Sequence, residues 1–163
     1  MVVVADTSVL LNLCRIEEER LLIELFREVW IPPAVRAEFV HHSLHHPRFL
    51  ALRLPGWICE SAPVTITPAV ASLPDLHAGE SEALSLALEK SADAVLLDGI
   101  AARQAAVSLG LQPIGVLGIL VRARAARLIP AIKPLLLRLE QAAGFWLDPA
   151  LRDRILQQWD ESA

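Results

Sequence analysis

The chain has 163 residues, of which 54% are hydrophobic and 21% charged, and its formal net charge at pH 7 is −4. This composition excludes an intrinsically disordered chain, which combines low hydrophobicity with high net charge. It also excludes a basic nucleic-acid coat protein, although an acidic average permits a local basic patch. The length is typical of one domain, so we expect residues 1–163 to form a single domain.

Apolar runs with β-branched residues alternate with amphipathic segments along the chain, which predicts alternating strands and helices. In chain order, the prediction is strand Val2–Ala5, helices Val9–Leu13 and Glu17–Val29, strand Trp30–Ile31, helix Ala34–His42, strands Trp57–Glu60 and Val64–Thr67, helix Gly79–Lys90, strand Ala94–Leu97, helix Ile100–Leu109, strand Pro113–Val116, and helices near Leu117–Arg127, Ala131–Ala143 and Pro149–Trp159. This order favours an α/β domain with a central, mostly parallel sheet and extra C-terminal helices from about residue 117.

The cysteine content and the longest apolar run indicate the expected compartment. Cys14 and Cys59 lie far apart without metal-ligand spacing, so we expect free thiols in a reducing cytosol. The run Pro113–Val121 is shorter than the roughly 18 residues that a membrane span requires. We therefore expect a cytoplasmic protein that does not cross a membrane. Its high apolar content favours a partner or a self-interface.

Acidic side chains follow two of the predicted strands. Asp6 follows the first strand, and Asp98 follows the strand that ends at Leu97. Ligands bind at the carboxyl ends of parallel strands, so neighbouring strands would bring these two carboxylates together. Glu38 and Glu80 lie on predicted helices, Glu80 on the one that leads into the Asp98 strand. Carboxylate clusters suit Mg²⁺ and Mn²⁺, and such a site predicts metal-assisted phosphodiester hydrolysis.

Each acid also has a structural interpretation. Asp6 and Ser8 could cap a helix, and Glu80 could interact with a helix dipole. Glu38 could lie on a solvated helix face, and Asp98 could belong to a turn. A phosphatase that uses Asp6 as its nucleophile is disfavoured, because the expected second aspartate two residues later is replaced by Ser8.

Other polar and aromatic residues have open roles. Arg103 could reach a phosphate or be an exposed helix residue, and His77 could touch substrate or cap a helix. Trp30 and Trp57 are expected in the core or an interface. The histidines near residue 45 have the i, i+4 spacing of a metal pair, but solvated loop histidines are the favoured interpretation: His41, His42, His45 and His46.

Four acidic segments in order resemble those of the PIN domain family, and among its members the VapC-type toxins that carry a Gly-Glu-x-Glu-Ala segment. The matching segments are Val2–Asp6 with Thr7, Ser8 and Asn12, then Pro32–Glu38, then Leu76–Ala83, then Ala94–Asp98, and the later stretch Gly110–Ile129. The resemblance covers nearly the whole chain, to about Leu156.

The resemblance implies a three-layer α/β/α nuclease that binds Mg²⁺ or Mn²⁺ and cuts RNA. The carried-over acidic cluster, as metal ligands and catalytic residues, is Asp6, Glu38, Glu80 and Asp98. Thr7, Ser8 and Asn12 would orient these ligands. Arg103, five residues after Asp98 on the next predicted helix, is the candidate for substrate contact from its position in the sequence. The resemblance also implies a toxin with a small cognate antitoxin and a homodimer. Gly99 replaces an acid, and Val116 replaces a small polar residue, so the alternative is a catalytically weakened protein- or RNA-binding module.

Overall fold

A computed structural model of the protein describes residues 1–161. Its five strands are β1 (Val2–Ala5), β2 (Glu28–Ile31), β3 (Cys59–Glu60), β4 (Ala94–Leu96) and β5 (Pro113–Ile114). Its helices are α1 (Thr7–Arg15), α2 (Arg20–Phe26), α3 (Pro33–His45), α4 (Pro68–Ala71), α5 (Ala78–Glu89), α6 (Ile100–Ser108), α7 (Val116–Ala125), α8 (Lys133–Gln141) and α9 (Pro149–Gln158).

The strands form one parallel sheet in the order β3-β2-β1-β4-β5. Helices cover both faces, which gives the predicted three-layer α/β/α arrangement. Val3 points into a core shared with α1, α2, α3 and the C-terminal helices α7–α9. Val4 points to the opposite face, where α5 and α6 pack. Both side chains are fully buried, as expected for a parallel sheet that is covered on both faces.

The predicted helix Glu17–Val29 is too long at both ends. Glu17 has a left-handed backbone conformation (φ 59°), and the N–H of Glu18 donates to the carbonyl of Leu13, which completes the end of α1. Arg27 is also left-handed (φ 70°) and ends α2. The chain then enters β2, whose residues pair with β1. Pairing in the sheet therefore overrides the helical spacing of the apolar residues up to Val29.

The predicted strand Val64–Thr67 does not form. This segment lies between two prolines, and the Val64 side chain is 87% exposed. Pro68 instead starts α4, for which Thr67 is the N-cap residue. The predicted strand Trp57–Glu60 is reduced to β3, and the strands that end at Leu97 and Val116 are one or two residues shorter than predicted.

The remaining expectations concern thiols and membranes. Cys14 is buried and Cys59 is partly buried, and both are free thiols. None of the helices within residues 1–161 combines the length and hydropathy that crossing a bilayer requires.

The C-terminal helices α8 and α9 contribute Leu136, Leu139 and Leu156 to the same core as β1.

Candidate metal centre

The carboxyl edge of the sheet brings the predicted acids together. β1 and β4 are neighbours, and the backbone N–H of Asp6 donates to the carbonyl of Leu96 (2.8 Å). Asp6 and Asp98 therefore leave adjacent strands on the same side, as expected from the sequence. They open into a cleft of about 730 Å³, which we call the acid cleft. Seven of the eight predicted site residues line the acid cleft: Asp6, Thr7, Ser8, Asn12, Glu38, Glu80 and Asp98.

Asp6 occupies the N-cap position of α1, but its side chain does not cap the helix. The residue is only 2% exposed, and its Oδ1 has no hydrogen-bond partner within residues 1–161. Burial raises the pKa of Asp6 to about 6, and the charges of Glu80 and Glu38 act in the same direction. The Thr7 backbone N–H and His77 partly offset this rise. Asp6 is therefore a buried carboxylate whose burial is only partly compensated, and helix capping does not explain it.

Glu38 is held in place by residues from two other elements. The Thr7 hydroxyl on α1 donates to Glu38 Oε2 (2.7 Å), and the backbone N–H of Gly79 on α5 donates to Oε1 (2.9 Å). These contacts exclude the solvated helix face as its setting. A Cβ atom at position 79 would lie 2.5 Å from Glu38 Oε2, so this approach requires glycine.

His77 and Glu80 form a reciprocal cap at the start of α5. The Glu80 N–H donates to His77 Nδ1 (3.3 Å), and the His77 N–H donates to Glu80 Oε2 (3.3 Å). The imidazole also lies 3.2 Å from Glu80 Oε1 through Nε2 and 3.3 Å from Glu38 Oε1 through Nδ1. Because Nδ1 accepts the Glu80 N–H, the tautomer protonated on Nε2 satisfies the contact with Glu80 Oε1.

Asp98 is anchored at the start of α7. The backbone N–H of Val116 donates to Asp98 Oδ1 (3.1 Å), so the apolar side chain at position 116 does not prevent this contact. Burial raises the pKa of Asp98, whereas the Val116 N–H and Arg103 lower it. A Cβ atom at Gly115 would collide with Asp98 Oδ1, so the close packing of these segments depends on that glycine.

One ligand atom each from Asp6, His77 and Glu80 lies within 4.8 Å of the others, which makes this trio a candidate metal group. Glu38 and Asp98 line the same cleft outside the trio. His77 was not predicted as part of this group. Its i, i+3 spacing to Glu80 was the available signal, because that spacing places both side chains on one helix turn.

The family model DUF3368, a PIN domain, matches residues 2–161. The chain belongs to the PIN domain family. This confirms the predicted family, whose members are generally nucleases. No curated protein and no solved structure gives a significant match to the chain.

The remaining predicted site residues, Ser8, Asn12 and Arg103, line two different clefts of the PIN domain. Ser8 and Asn12 line the acid cleft, and Asn12 is nearly buried (9% exposed). Arg103 is partly buried rather than exposed, and its Nη1 donates to the carbonyl of Leu97 (3.4 Å). It lines an adjoining cleft that Asp98 also borders.

The histidines near residue 45 are not loop residues. His41, His42 and His45 lie on α3, and His46 follows directly as its C-cap residue. The Nδ1 atom of His42 lies 2.8 Å from the carbonyl of Glu38. Within residues 1–161, these histidines do not join a group of three ligands that could hold a metal.

The donor set of the acid cleft fits a divalent cation. The unpartnered Oδ1 of Asp6 provides a buried oxygen ligand next to Glu80 and His77. Crowded carboxylates either take up a proton or are neutralised by a cation, and hard divalent cations prefer oxygen ligands. Asp6 and Glu80 could therefore hold such an ion, and His77 could join them through Nε2 when its proton lies on Nδ1, which is 3.3 Å from Glu38 Oε1. Glu38 and Asp98 line the same cleft.

Proposed function

We propose that this PIN domain is a Mg²⁺- or Mn²⁺-dependent endoribonuclease that hydrolyses RNA phosphodiesters in the acid cleft. The observation that supports this proposal most strongly is the buried Asp6 carboxylate, whose Oδ1 has no partner within residues 1–161, beside Glu80 and His77. The Thr7 backbone N–H and His77 offset the cost of ionising Asp6 only in part, so its pKa stays raised. A divalent cation would supply the missing positive charge.

In this proposal, Asp6, Glu38, Glu80 and Asp98 form the metal-binding and catalytic cluster, and His77 joins it. The bound cation would lower the pKa of water and stabilise charge on the phosphate. The Thr7 hydroxyl orients Glu38 through its hydrogen bond, and Ser8 and Asn12 complete the polar wall. Arg103 lies beside Asp98 in the adjoining cleft, where its positive charge would attract a phosphate of RNA that extends from the acid cleft.

Gly99 gives Glu80 room in the site. A Cβ atom at position 99 would lie 3.0 Å from Glu80 Oε1, so a larger side chain would press on that carboxylate. The absence of an acid at position 99 is thus compatible with an active cluster that uses Glu80. A catalytically weakened protein- or RNA-binding module is the alternative function.

The direct test measures cleavage of a pool of structured and unstructured RNAs with Mn²⁺, Mg²⁺ or EDTA. We expect metal-dependent cutting by the wild type, and a loss of at least about 100-fold in Asp6→Asn, a change that keeps the side-chain shape. Asp153→Asn, at an exposed position on α9, is the matched control and should retain activity. A folded wild type that binds RNA without cutting it would favour the binding module instead.

We further propose that the protein acts in the cytoplasm as the toxin of a type II toxin–antitoxin pair. The resemblance of its Gly79–Ala83 segment to VapC-type toxins supports this role. Exposed apolar side chains on and after α3, Val40, Leu44 and Leu50, support a homodimer or antitoxin contact. Expression of the wild type should arrest growth, whereas Asp6→Asn should not. Co-expression of a cognate antitoxin should restore growth.

A further inference from the structure

Trp146 has an unusual setting for a tryptophan, because 79% of its surface is exposed although this residue type is mostly buried in proteins. Its two neighbours are anchored: Leu147 is buried in the core, and Phe145 packs against the same core. The Trp146 side chain therefore projects from a segment that is fixed on both sides of it.

The segment that carries Trp146 is also fixed by its backbone. Gly144 adopts a left-handed conformation (φ 68°) after α8, and the Phe145 N–H donates to the carbonyl of Leu139 (2.9 Å), as in a glycine-terminated helix end. On the other side, the Asp148 side chain accepts the N–H of Ala150 (3.3 Å) and caps α9. The exposed indole is thus presented by an ordered turn.

Trp146 stands where two clefts meet. It lines the acid cleft, and it also lines a second cleft of about 530 Å³ between α6, α7 and the Trp146 turn. We call the second one the arginine cleft, because Arg103 and Arg122 line it. The residues shared by both clefts are Asp98, Ile100, Phe145 and Trp146. Ile100, itself 78% exposed, extends the apolar surface at this junction.

The arginine cleft contains two arginines, Arg103 and Arg122, together with the carboxylates of Asp98 and Asp148. The acid cleft is lined by four carboxylates and by no arginine or lysine within residues 1–161. Arg122 has no carboxylate within ion-pair distance in that same part of the chain, and its Nη1 donates to the carbonyl of Gly118 (3.4 Å). Arg122 therefore offers a positive charge to a phosphate of an RNA strand that extends from the acid cleft past Trp146.

We propose that Trp146 and the arginine cleft form a binding subsite for one unpaired nucleotide adjacent to the scissile phosphate. The base stacks on the Trp146 indole, and Arg122 contacts the phosphate of that nucleotide. This proposal rests on the proposed ribonuclease function. It also determines which RNA is accepted, because a base within a duplex cannot stack on a protein side chain.

The test is an abasic scan of an eight-nucleotide oligouridylate, measured by binding to the Asp6→Asn protein so that the probe is not cut. One abasic nucleotide at a time is moved through the probe. In the Asp6→Asn background, we expect about 5- to 150-fold weaker binding when the abasic position meets Trp146, the range that corresponds to one base–aromatic stack. With Trp146→Ala added, all abasic probes should bind with the same affinity. With Trp146→Phe instead, most of the position-specific loss of affinity should return. Adding Val64→Ala at an exposed apolar position elsewhere should change nothing.

Two independent readouts separate a base contact from a general structural role. Binding of the probe should quench tryptophan fluorescence, and Trp146→Ala should remove that quenching. Arg122→Gln should lower the salt dependence of log affinity by about 0.7, the contribution of one phosphate contact to a single strand. Arg154→Gln, at an exposed position on α9, should leave the slope unchanged.

The outcomes distinguish the subsite from the nuclease. If the wild type cuts RNA and Trp146→Ala leaves the abasic scan unchanged, the subsite is overturned and the nuclease stands. If the wild type cuts nothing but the position-specific effect depends on Trp146, the subsite is supported and the catalytic proposal fails. If no RNA binds in any background, both are overturned.

Discussion

Replacing Asp6 with asparagine should stabilise the metal-free protein. In the folded protein, burial raises the pKa of Asp6 from 3.8 to about 6. The folded state therefore takes up a proton that the unfolded state releases, and stability decreases as the pH rises through this range. Because one pKa unit corresponds to about 1.4 kcal/mol, the ionised Asp6 side chain costs the folded protein about 3 kcal/mol above pH 7.

Asparagine keeps the shape of the side chain and removes this charge. We expect Asp6→Asn to raise the melting temperature in EDTA at pH 8 by about 6–12 °C, from about 2–4 °C per kcal/mol for a chain of this length. At pH 5 the wild-type carboxyl is mostly protonated in the folded state, so the stabilisation should fall to about half. Thermal unfolding followed by circular dichroism at both pH values measures this difference.

The control is Asp153→Asn, whose carboxylate is exposed and should leave the melting temperature within about 1–2 °C of the wild type. Adding Mn²⁺ should stabilise the wild type and remove the advantage of Asp6→Asn, because ligand binding favours the state that binds it. An Asp6→Asn protein that is less stable than the wild type in EDTA at pH 8 would refute the reasoning about the uncompensated charge.

Variants at three further positions, with two control variants, test the contacts around the acid cleft and in the C-terminal part of the fold. Gly79→Ala should reduce nuclease activity at least tenfold with little change in melting temperature, because its Cβ displaces the Glu38 carboxylate; full activity would show that this position is not needed. His77→Ala should lower the unfolding free energy by about 1 kcal/mol in urea titrations, and His77→Asn should retain stability because asparagine also caps helices. Glu161→Gln should cost about 1–3 kcal/mol, since this carboxylate accepts two backbone N–H groups at the start of α8. Glu17→Gln, which disrupts an exposed ion pair, should cost at most about 1 kcal/mol, and equal losses in the two variants would contradict this difference.

The strands and the positions of Asp6 and Asp98 at their carboxyl ends are predictable because both depend on local features of the sequence. The continuous apolar runs Val2–Ala5 and Ala94–Leu97 indicate strands that are buried on both faces. An acid directly after such a strand must lie at the carboxyl edge of the sheet. The convergence of the two acids also requires neighbouring strands, and the pairing of β1 with β4 confirms that they are neighbours.

Features that depend on tertiary contacts were not predictable in the same way. The apolar residues from Leu21 to Val29 fit a helix, and only the pairing of β2 with β1 assigns the last of them to a strand. The exposure of Trp146 is not predictable from the sequence either. Its exposure depends on how the neighbouring Phe145 and Leu147 are anchored, which the sequence pattern does not reveal.

A titration of Mn²⁺ into the purified protein tests the central claim most directly. Isothermal titration calorimetry of the wild type at pH 7.5 should show at least one saturable site, with affinity at least about tenfold lower in Asp6→Asn and unchanged in Asp153→Asn. Equal Mn²⁺ affinity in the wild type and Asp6→Asn would contradict the assignment of the acid cleft as a metal centre.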